Sequence, residues 1–168
     1  MSQNAWMGVM PATLCPFRED DSIDEDGLRT YAGYLASVPG VTGLVCNGHT
    51  GEVMSLRNRE RTLVTRTIAA AVGDKVKVAS GVCAEGSDEA IDQALAAKEA
   101  GADAILLMPP HHWLRFGRKT ETALGFFQDV AEGAGIDIIV HQYPSWTKAS
   151  YSSAEMLELV KLPQVVCI

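Results

Sequence analysis

The chain of 168 residues has few aromatic side chains, 7% of the total, and no long block of charge of one sign. It also has no signal peptide and no apolar run of the roughly 18 residues that a membrane helix needs, so we predict no membrane partner. The 21 acidic residues outnumber the 14 Lys and Arg, which leaves a net charge of −7. Because no basic patch stands out, we predict no nucleic-acid partner either.

The four cysteines contain no C-x-x-C pair. They are Cys15, Cys46, Cys83 and Cys167. Wide spacing without a signal peptide favours reduced thiols and a cytoplasmic location. We predict that these side chains pack as small apolar groups.

Short apolar segments are plentiful in this chain, which is 47% hydrophobic and long enough for one globular core. They alternate with amphipathic stretches. Strands are predicted at 7–13, 43–46, 76–82, 104–108, 137–141 and 164–168, and helices at 24–38, 57–72, 87–100, 119–133 and 152–160. This alternation predicts an α/β fold with a parallel sheet and a ligand site at the carboxyl ends of the strands.

Two architectures fit the alternation: an open doubly wound sheet and a (β/α)₈ TIM barrel. A barrel uses about 250 residues for eight units, roughly 31 per unit. That spacing gives this chain five units and a sixth strand, which cannot close a barrel. The chain is therefore expected to be either a complete open domain or part of a longer protein. The apolar last strand at 164–168, with no turn or polar tail after it, favours the longer protein.

The loop after the predicted strand 43–46 carries Asn47-Gly48-His49-Thr50-Gly51-Glu52. Its two glycines are predicted to let the backbone turn tightly and present N–H groups, which suits a small anion. A carboxylate would accept from the amides of His49 and Thr50, while the Thr50 hydroxyl relays a proton. The alternative is an Asn-Gly turn without function.

This loop resembles the G-[ST]-T-G-E motif of the dihydrodipicolinate synthase/N-acetylneuraminate lyase family of pyruvate-dependent aldolases. Here the motif reads Gly48-His49-Thr50-Gly51-Glu52. Other matching pieces are Cys15-Pro16-Phe17 for the usual T-P-F, Gly101-Ala102-Asp103 before a strand ending in Met108-Pro109-Pro110, and Tyr143-Pro144. The resemblance runs through the whole chain.

The resemblance implies a (β/α)₈ TIM barrel, with residues 1–168 forming a single domain that covers about the first five βα units and strand six. The rest of the barrel is expected beyond Ile168. In this family strand six delivers a lysine that forms a Schiff base with a 2-oxo acid such as pyruvate, without metal or organic cofactor. That lysine would follow Ile168, where truncation or a chemically modified lysine would end the sequence. Lys148 and Lys161 are predicted surface charges.

The segment around strand five departs from the family pattern. His141 occupies the position of the family's proton-relaying tyrosine, and Tyr143 follows two residues later. A period of two keeps both side chains on one strand face. Either side chain could move a proton, although histidine titrates near neutral pH and tyrosine normally does not. We predict that Tyr143 relays the proton and that His141 is its partner.

Two further departures concern the second substrate. Trp146 stands where dihydrodipicolinate synthases usually carry an arginine for the aldehyde's carboxylate, and tryptophan cannot form that ion pair. This argues against aspartate semialdehyde and favours a less charged or aromatic acceptor, with Trp113 as a further contact. His111 and His112 replace a tyrosine pair, one of which reaches into a neighbouring subunit in relatives.

The sequence thus predicts a lyase or aldolase that makes or breaks a carbon–carbon bond next to a Schiff base, with hydration or dehydration as an accompanying step. It is not a typical dihydrodipicolinate synthase, and a homotetramer is expected. The predicted catalytic residues are Tyr143, His141 and Thr50, and the predicted substrate contacts are Gly48, His49, Thr50, Trp146 and His112. A catalytically silent 2-oxo acid binding or regulatory relative is the alternative. A metal-assisted lyase is disfavoured because the four histidines lack H-x-x-x-H spacing, and no metal is expected.

Overall fold

A computed structural model describes residues 6–147 and 150–168, without the side chains of residues 146 and 147. Five parallel strands form its centre. They are β1 Gly43–Cys46, β2 Lys77–Val82, β3 Ala104–Leu107, β4 Asp137–Val140 and β5 Val165–Cys167. The helices are α1 Glu25–Ser37, α2 Asn58–Val72, α3 Ser87–Glu99, α4 His112–Phe116, α5 Thr120–Ala134, α6 Pro144–Thr147 and α7 Ser153–Leu159, and a 3₁₀ turn covers His49–Gly51.

The strands lie side by side in chain order, from β1 to β5, and every neighbouring pair is parallel. The longer helices also touch in chain order, α1 with α2, α2 with α3, and α3 with α5. A doubly wound sheet reverses its strand order at a switch point and covers both faces with helices. The observed order has no reversal, so the predicted α/β fold is confirmed in its singly wound form.

The predicted first strand at 7–13 is wrong as a strand. This segment forms only isolated parallel bridges to the β1 region, between Val9 and Val41 and between Ala12 and Val45. Pro11 lies between the two bridges and has no N–H to donate to a ladder. The segment therefore lies beside β1 in the expected place, and the regular sheet has five strands instead of six.

The two faces of the sheet are buried to different degrees. On the helix side, the side chains of Val78, Ile105 and Ile138 are completely buried. On the opposite side, Val45 and Leu106 stay partly exposed. Burying an aliphatic side chain contributes roughly 1.5–3 kcal/mol, so contact with the helices supplies most of the apolar stabilisation of the strands.

A largely buried ion pair joins α5 to α7. The guanidinium of Arg118, just before α5, donates to both carboxylate oxygens of Glu155 and also to the Ser150 carbonyl at 2.6 Å. Its cationic carbon lies 5.0 Å from the centre of the Tyr151 ring. Ser152 caps α7 and forms a reciprocal capping box with Glu155. The Glu155 carboxylate therefore both caps the start of α7 and neutralises the charge of Arg118.

Trp113 does not reach the ligand side of the molecule. Its side chain is buried in the core and packs edge-on against Phe126, with ring centres 5.6 Å apart. The expectation that Trp113 contacts a second substrate is therefore wrong. Its apolar ring is held by helix packing, which the sequence pattern did not distinguish from a rim position.

The remaining surface and cysteine predictions are mostly confirmed. All four cysteines are free; Cys167 is partly exposed and the other three are buried. Lys161 is an exposed surface charge that pairs with Glu158 at 2.6 Å, whereas Lys148 lies outside the described residues. In the described part of the chain, no helix combines the length and apolarity that crossing a membrane requires.

Gly81 of β2 is a position where a side chain has no room. A Cβ there would lie 2.0 Å from the Asn47 carbonyl oxygen and 2.8 Å from the Met108 methyl carbon. Gly81→Ala is expected to lower the free energy of unfolding by about 2–3 kcal/mol, because backbone must move to admit the methyl group. Gly125→Ala in α5 is the control, since a Cβ there meets nothing within 4 Å. Urea unfolding measures both, and equal stability of the two variants would contradict this account.

The Arg118–Glu155 pair gives a pH-dependent prediction. The hydrogen bond from Arg118 lowers the pKa of Glu155 from its ordinary 4.5 to about 2, against the opposing effect of burial. A lowered folded-state pKa adds stability above pH 4.5 that is lost as the pH falls towards 2. Glu155→Gln is expected to cost about 3 kcal/mol at pH 7 and progressively less at acid pH.

Glu158→Gln is the matched control for that variant. Glu158 lies on the same helix and pairs with Lys161, but both side chains are at least half exposed. Its replacement is expected to cost less than about 1 kcal/mol at any pH. Unfolding curves measured from pH 2 to pH 7 test both variants, and a Glu155→Gln deficit that does not shrink below pH 4 would refute the assignment.

Candidate active site

The carboxyl ends of the parallel strands meet at one edge of the sheet, and a pocket of about 720 Å³ opens there. This volume lies in the range of small-molecule sites. The apolar part of its wall comes from Met10, Ala12, Val45, Leu106, Met108 and Leu114. The groups that can donate or accept hydrogen bonds belong to Gly48, His49, Thr50, His111, His141 and Tyr143. A pocket thus lies at the sheet edge where the sequence predicts a ligand site.

Asn47 anchors the loop that follows β1. Its backbone is left-handed, with φ of 53°, and its side chain is buried. The amide nitrogen donates to the Arg61 carbonyl at 2.9 Å, the Thr65 hydroxyl at 2.9 Å and the Ser80 hydroxyl at 3.0 Å. Asparagine tolerates left-handed backbone better than most residues, and these bonds to α2 and β2 hold it there.

The next residues form one tight turn. The amide of Gly51 donates to the Gly48 carbonyl at 3.0 Å, and that of Glu52 donates to the His49 carbonyl at 3.1 Å. The amides of His49 and Thr50 come first in the turn, where no earlier turn carbonyl can accept them. These are the two N–H groups predicted to hold a carboxylate, which stays a prediction.

Glycine does not supply the unusual backbone of this loop, contrary to expectation. The left-handed residues are Asn47 and Glu52, whose φ values are 53° and 58°. Gly51 is needed for space instead, because a Cβ there would lie 3.0 Å from the Thr13 carbonyl oxygen. A Cβ at Gly48 would meet nothing within 4 Å. The turn is therefore set by its two flanking residues and by close contact at Gly51.

Three imidazoles meet in the pocket, and we call His49, His111 and His141 the histidine cluster. The ring centre of His49 lies 5.7 Å from that of His141 and 6.1 Å from that of His111. Burial lowers the pKa of His49, and the neighbouring His111 lowers it further. Burial also lowers the pKa of His141, with His49 adding to the effect. Both rings therefore favour the neutral form near pH 7.

Glu85, which follows β2, holds the start of α4 at the pocket. One carboxylate oxygen accepts from the His111 amide at 3.0 Å, and the other accepts from the His112 amide at 2.9 Å and lies 2.8 Å from the His112 ring nitrogen. Burial opposes ionisation here, but these hydrogen bonds prevail and lower the pKa of Glu85 to about 2. The His112 ring thus faces Glu85. His111, and not the predicted His112, lines the pocket.

Sequence reasoning missed Glu85 and did not select His111. A signal for Glu85 was available, because it follows a predicted strand at the same sheet edge as the other candidates. No sequence pattern links it to His111 and His112, however, since 26 residues separate the partners. The pairing appears only when β2 and β3 are placed side by side.

The segment after β4 places two of the predicted catalytic residues. His141 and Tyr143 both line the pocket, and the Tyr143 side chain is 51% exposed. Between them, the Gln142 side chain donates to the Tyr151 carbonyl at 3.0 Å and accepts from the Tyr151 amide at 3.2 Å. This pair of hydrogen bonds fixes the loop behind the two candidates. The side chain of Trp146 lies outside the described residues.

The structure therefore brings together five of the predicted site residues: Gly48, His49, Thr50, His141 and Tyr143. Their roles in binding and proton transfer remain predictions. Within residues 6–147 and 150–168, no three His, Cys, Asp or Glu side chains are arranged to hold a metal ion.

The histidine cluster makes a testable prediction about titration. His111→Asn is expected to raise the pKa of His49, because it removes the neighbouring imidazole that disfavours a charge there. His112→Asn changes the adjacent ring, which lies outside the pocket wall, and is expected to leave His49 unchanged. The imidazole proton signals measured by NMR across pH 5–8 follow each ring separately. A His49 titration that does not respond to His111→Asn would show that the two rings are not coupled.

Comparisons with known proteins agree with this geometry. The chain is 33% identical over 162 residues to a 4-hydroxy-tetrahydrodipicolinate synthase from Methanothrix thermoacetophila, covering 96% of this chain and 52% of that protein. Crystal structures of dihydrodipicolinate synthase DapA-2 from Bacillus anthracis and of N-acetylneuraminate lyase from Fusobacterium nucleatum both superpose with a TM-score of 0.86, at 23% and 21% identity. They match 94% and 97% of this chain, over 53% and 55% of their own.

The chain thus spans about half the length of the curated relatives it matches. Its five parallel strands correspond to the first half of the relatives' TIM barrel. The sequence model described as the dihydrodipicolinate synthetase family matches residues 5–168. Because that match covers almost the whole chain, the protein belongs to the dihydrodipicolinate synthetase family.

Proposed function

We propose that this chain is the N-terminal part of a lyase or aldolase that joins a 2-oxo acid such as pyruvate to a lysine as a Schiff base. The observation that carries the proposal is the pocket at the carboxyl edge of the sheet, which Thr50, His141 and Tyr143 line in a chain of this family. The enzyme would then make or break a carbon–carbon bond, with hydration or dehydration as an accompanying step. No metal or organic cofactor takes part.

The nucleophile of this proposal is a lysine that follows Ile168. β5 runs parallel to β4, so a residue after β5 lies at the same edge of the sheet as His141. The amine attacks the keto carbon, water leaves, and the protonated imine withdraws electrons from the neighbouring carbon. That carbon then becomes the nucleophile or loses its bonded partner.

In the same proposal, the described residues bind the acid and move protons. The amides of His49 and Thr50 hold the carboxylate, with Gly48 at the entry to the turn. The Thr50 hydroxyl, His141 and Tyr143 transfer protons to and from the carbinolamine oxygen. Suitably placed acid and base groups accelerate such steps by roughly 10²–10⁴-fold. Trp146 is the proposed contact of the second substrate. The predicted contact at His112 is not retained, because its ring nitrogen lies 2.8 Å from Glu85 and its side chain does not line the pocket.

The second substrate of this enzyme is proposed to differ from that of a typical dihydrodipicolinate synthase. Trp146 replaces the arginine that relatives are expected to use for the aldehyde's carboxylate, so the second substrate carries less charge or is aromatic. We retain the homotetramer implied by the resemblance and the cytoplasmic location favoured by the sequence.

A catalytically silent 2-oxo acid binding relative is the second candidate. It is motivated by the altered residues after strand β4, where His141 replaces a tyrosine. Such a protein would bind a 2-oxo acid in the same pocket without forming an imine. The two candidates therefore differ in one covalent step.

Trapping of the imine tests this step directly. The protein incubated with pyruvate and borohydride is expected to gain one reduced pyruvyl group per chain, at the lysine after Ile168, whereas borohydride alone adds nothing. Intact mass and peptide mapping measure the adduct. Pyruvate binding without an adduct would support the silent relative.

A pair of threonine variants makes the trapping experiment specific. Thr50→Val is expected to slow adduct formation by roughly 10²-fold, because the relay hydroxyl is lost. Thr30→Val is the matched control, since Thr30 is exposed on α1 and its hydroxyl donates to the Asp26 carbonyl. Equal trapping rates for the two variants would remove Thr50 from the mechanism.

A further inference from the structure

The pocket has no permanent positive charge among the described residues that line it. None of them is lysine or arginine, although the proposed ligand is an anion. The chain's net charge of −7 repels an anion at long range. Imidazole is the side chain in this lining that becomes cationic near neutral pH. Any counter-charge from the described wall must therefore come from His49, His111 or His141.

The geometry of the three rings suits that role. His49 neighbours both of the other rings, with ring centres 5.7 Å and 6.1 Å away, and its own amide is one of the two that begin the turn. The Nδ1 atom of His141 is buried and has no hydrogen-bond partner among the described residues. A buried polar atom normally has such a partner, so this nitrogen is available to a ligand oxygen.

We propose that the histidine cluster is an inducible counter-ion: it takes up a proton from solvent when the carboxylate of a small 2-oxo or 2-hydroxy acid binds in the pocket. This deepens the proposed function and rests on it for the location of the acid, but it does not depend on imine formation. In this step, one proton moves from solvent to an imidazole nitrogen, and no bond to carbon is made or broken.

The electrostatics of the empty pocket support proton uptake. Burial and the neighbouring rings lower the pKa of His49 and of His141, so the empty pocket disfavours a charged imidazole. A carboxylate at hydrogen-bond distance favours the charged form and raises the pKa again. Between the lowered and the raised pKa, binding and protonation occur together, and affinity falls as the pH rises.

Other titratable groups near the cluster keep their charge over this range. Glu85 lies 3.3 Å from the His111 ring nitrogen, and hydrogen bonds keep its pKa near 2, so it stays ionised from pH 6 to pH 8. The Cys83 sulfur lies 3.8 Å from the same nitrogen, and burial raises the pKa of this thiol, which stays neutral. Tyr143 also lines the pocket.

Calorimetry with L-lactate tests the proposal, because lactate has the carboxylate but no keto group and cannot form an imine. Titrations at pH 7 in buffers of different ionisation enthalpy give the number of protons taken up. We expect uptake approaching one proton for lactate and none for lactamide, which replaces the charged group by a neutral amide. The lactate Kd is expected to rise by up to tenfold per pH unit between pH 6 and pH 8.

Two histidine variants locate the proton. His49→Asn removes the central ring and is expected to abolish at least half of the uptake and flatten the pH dependence. His112→Asn is the matched control, since its ring lies outside the pocket wall, and it is expected to retain both. NMR titration of the unaltered protein supplies a second readout: lactate should raise the pKa of His49 or His141.

Three results would overturn the proposal: no lactate binding at pH 6, lactate binding without proton uptake, or equal uptake in the His49→Asn and His112→Asn variants. Failure of the proposed function would give a different result from failure of this proposal. It would give no borohydride-trapped pyruvate adduct while lactate still binds with proton uptake.

Discussion

The parallel, in-register pairing of β1 through β4 is the constraint on which the rest of the site depends. Cys46 pairs with Ser80, Val82 with Leu107, and Leu107 with Val140. Each strand therefore ends within two residues of its neighbour, and the loops that follow start from one edge. Side chains separated by up to about ninety positions in the chain become neighbours there. The helices on the outer face maintain this alignment by burying alternate side chains of every strand.

Close backbone contact extends this alignment into the first loop. The Asn47 carbonyl lies directly over Gly81, while its side chain bonds to α2 and β2. The turn that carries His49 and Thr50 is thus attached to two elements beyond its own strand. A loop held in this way presents its amides in a fixed direction before any ligand arrives, which lowers the entropic cost of binding.

Local pattern was sufficient for the five longest helices and for all five strands of the sheet, because apolar periodicity acts within a few residues, whereas the short helices α4 and α6 were not predicted. It failed at 7–13, where one missing N–H at Pro11 interrupts a ladder that the apolar pattern otherwise predicts. It also assigned the loop's strain to glycine, whereas Asn47 and Glu52 carry it. Both errors concern features that depend on contacts with neighbouring segments of the fold and not on the local sequence.

The candidate site was likewise predictable only in part. Strand ends located His49, Thr50, His141 and Tyr143, since parallel strands share one carboxyl edge. Distances between rings could not be predicted, nor could the Glu85 bridge to α4, because both depend on contacts between distant segments. The Arg118–Glu155 pair was missed for the same reason.

The double hydrogen bond between Gln142 and Tyr151 has a consequence for how this pocket can diversify. A side-chain amide here imitates a backbone pair and closes the loop at its base. The residues inside the closure can change identity while both ends of the loop stay at the same separation. Variation in the loop is thereby uncoupled from the position of His141. Relatives could exchange this segment for another sequence while His141, which precedes the closure, keeps its place.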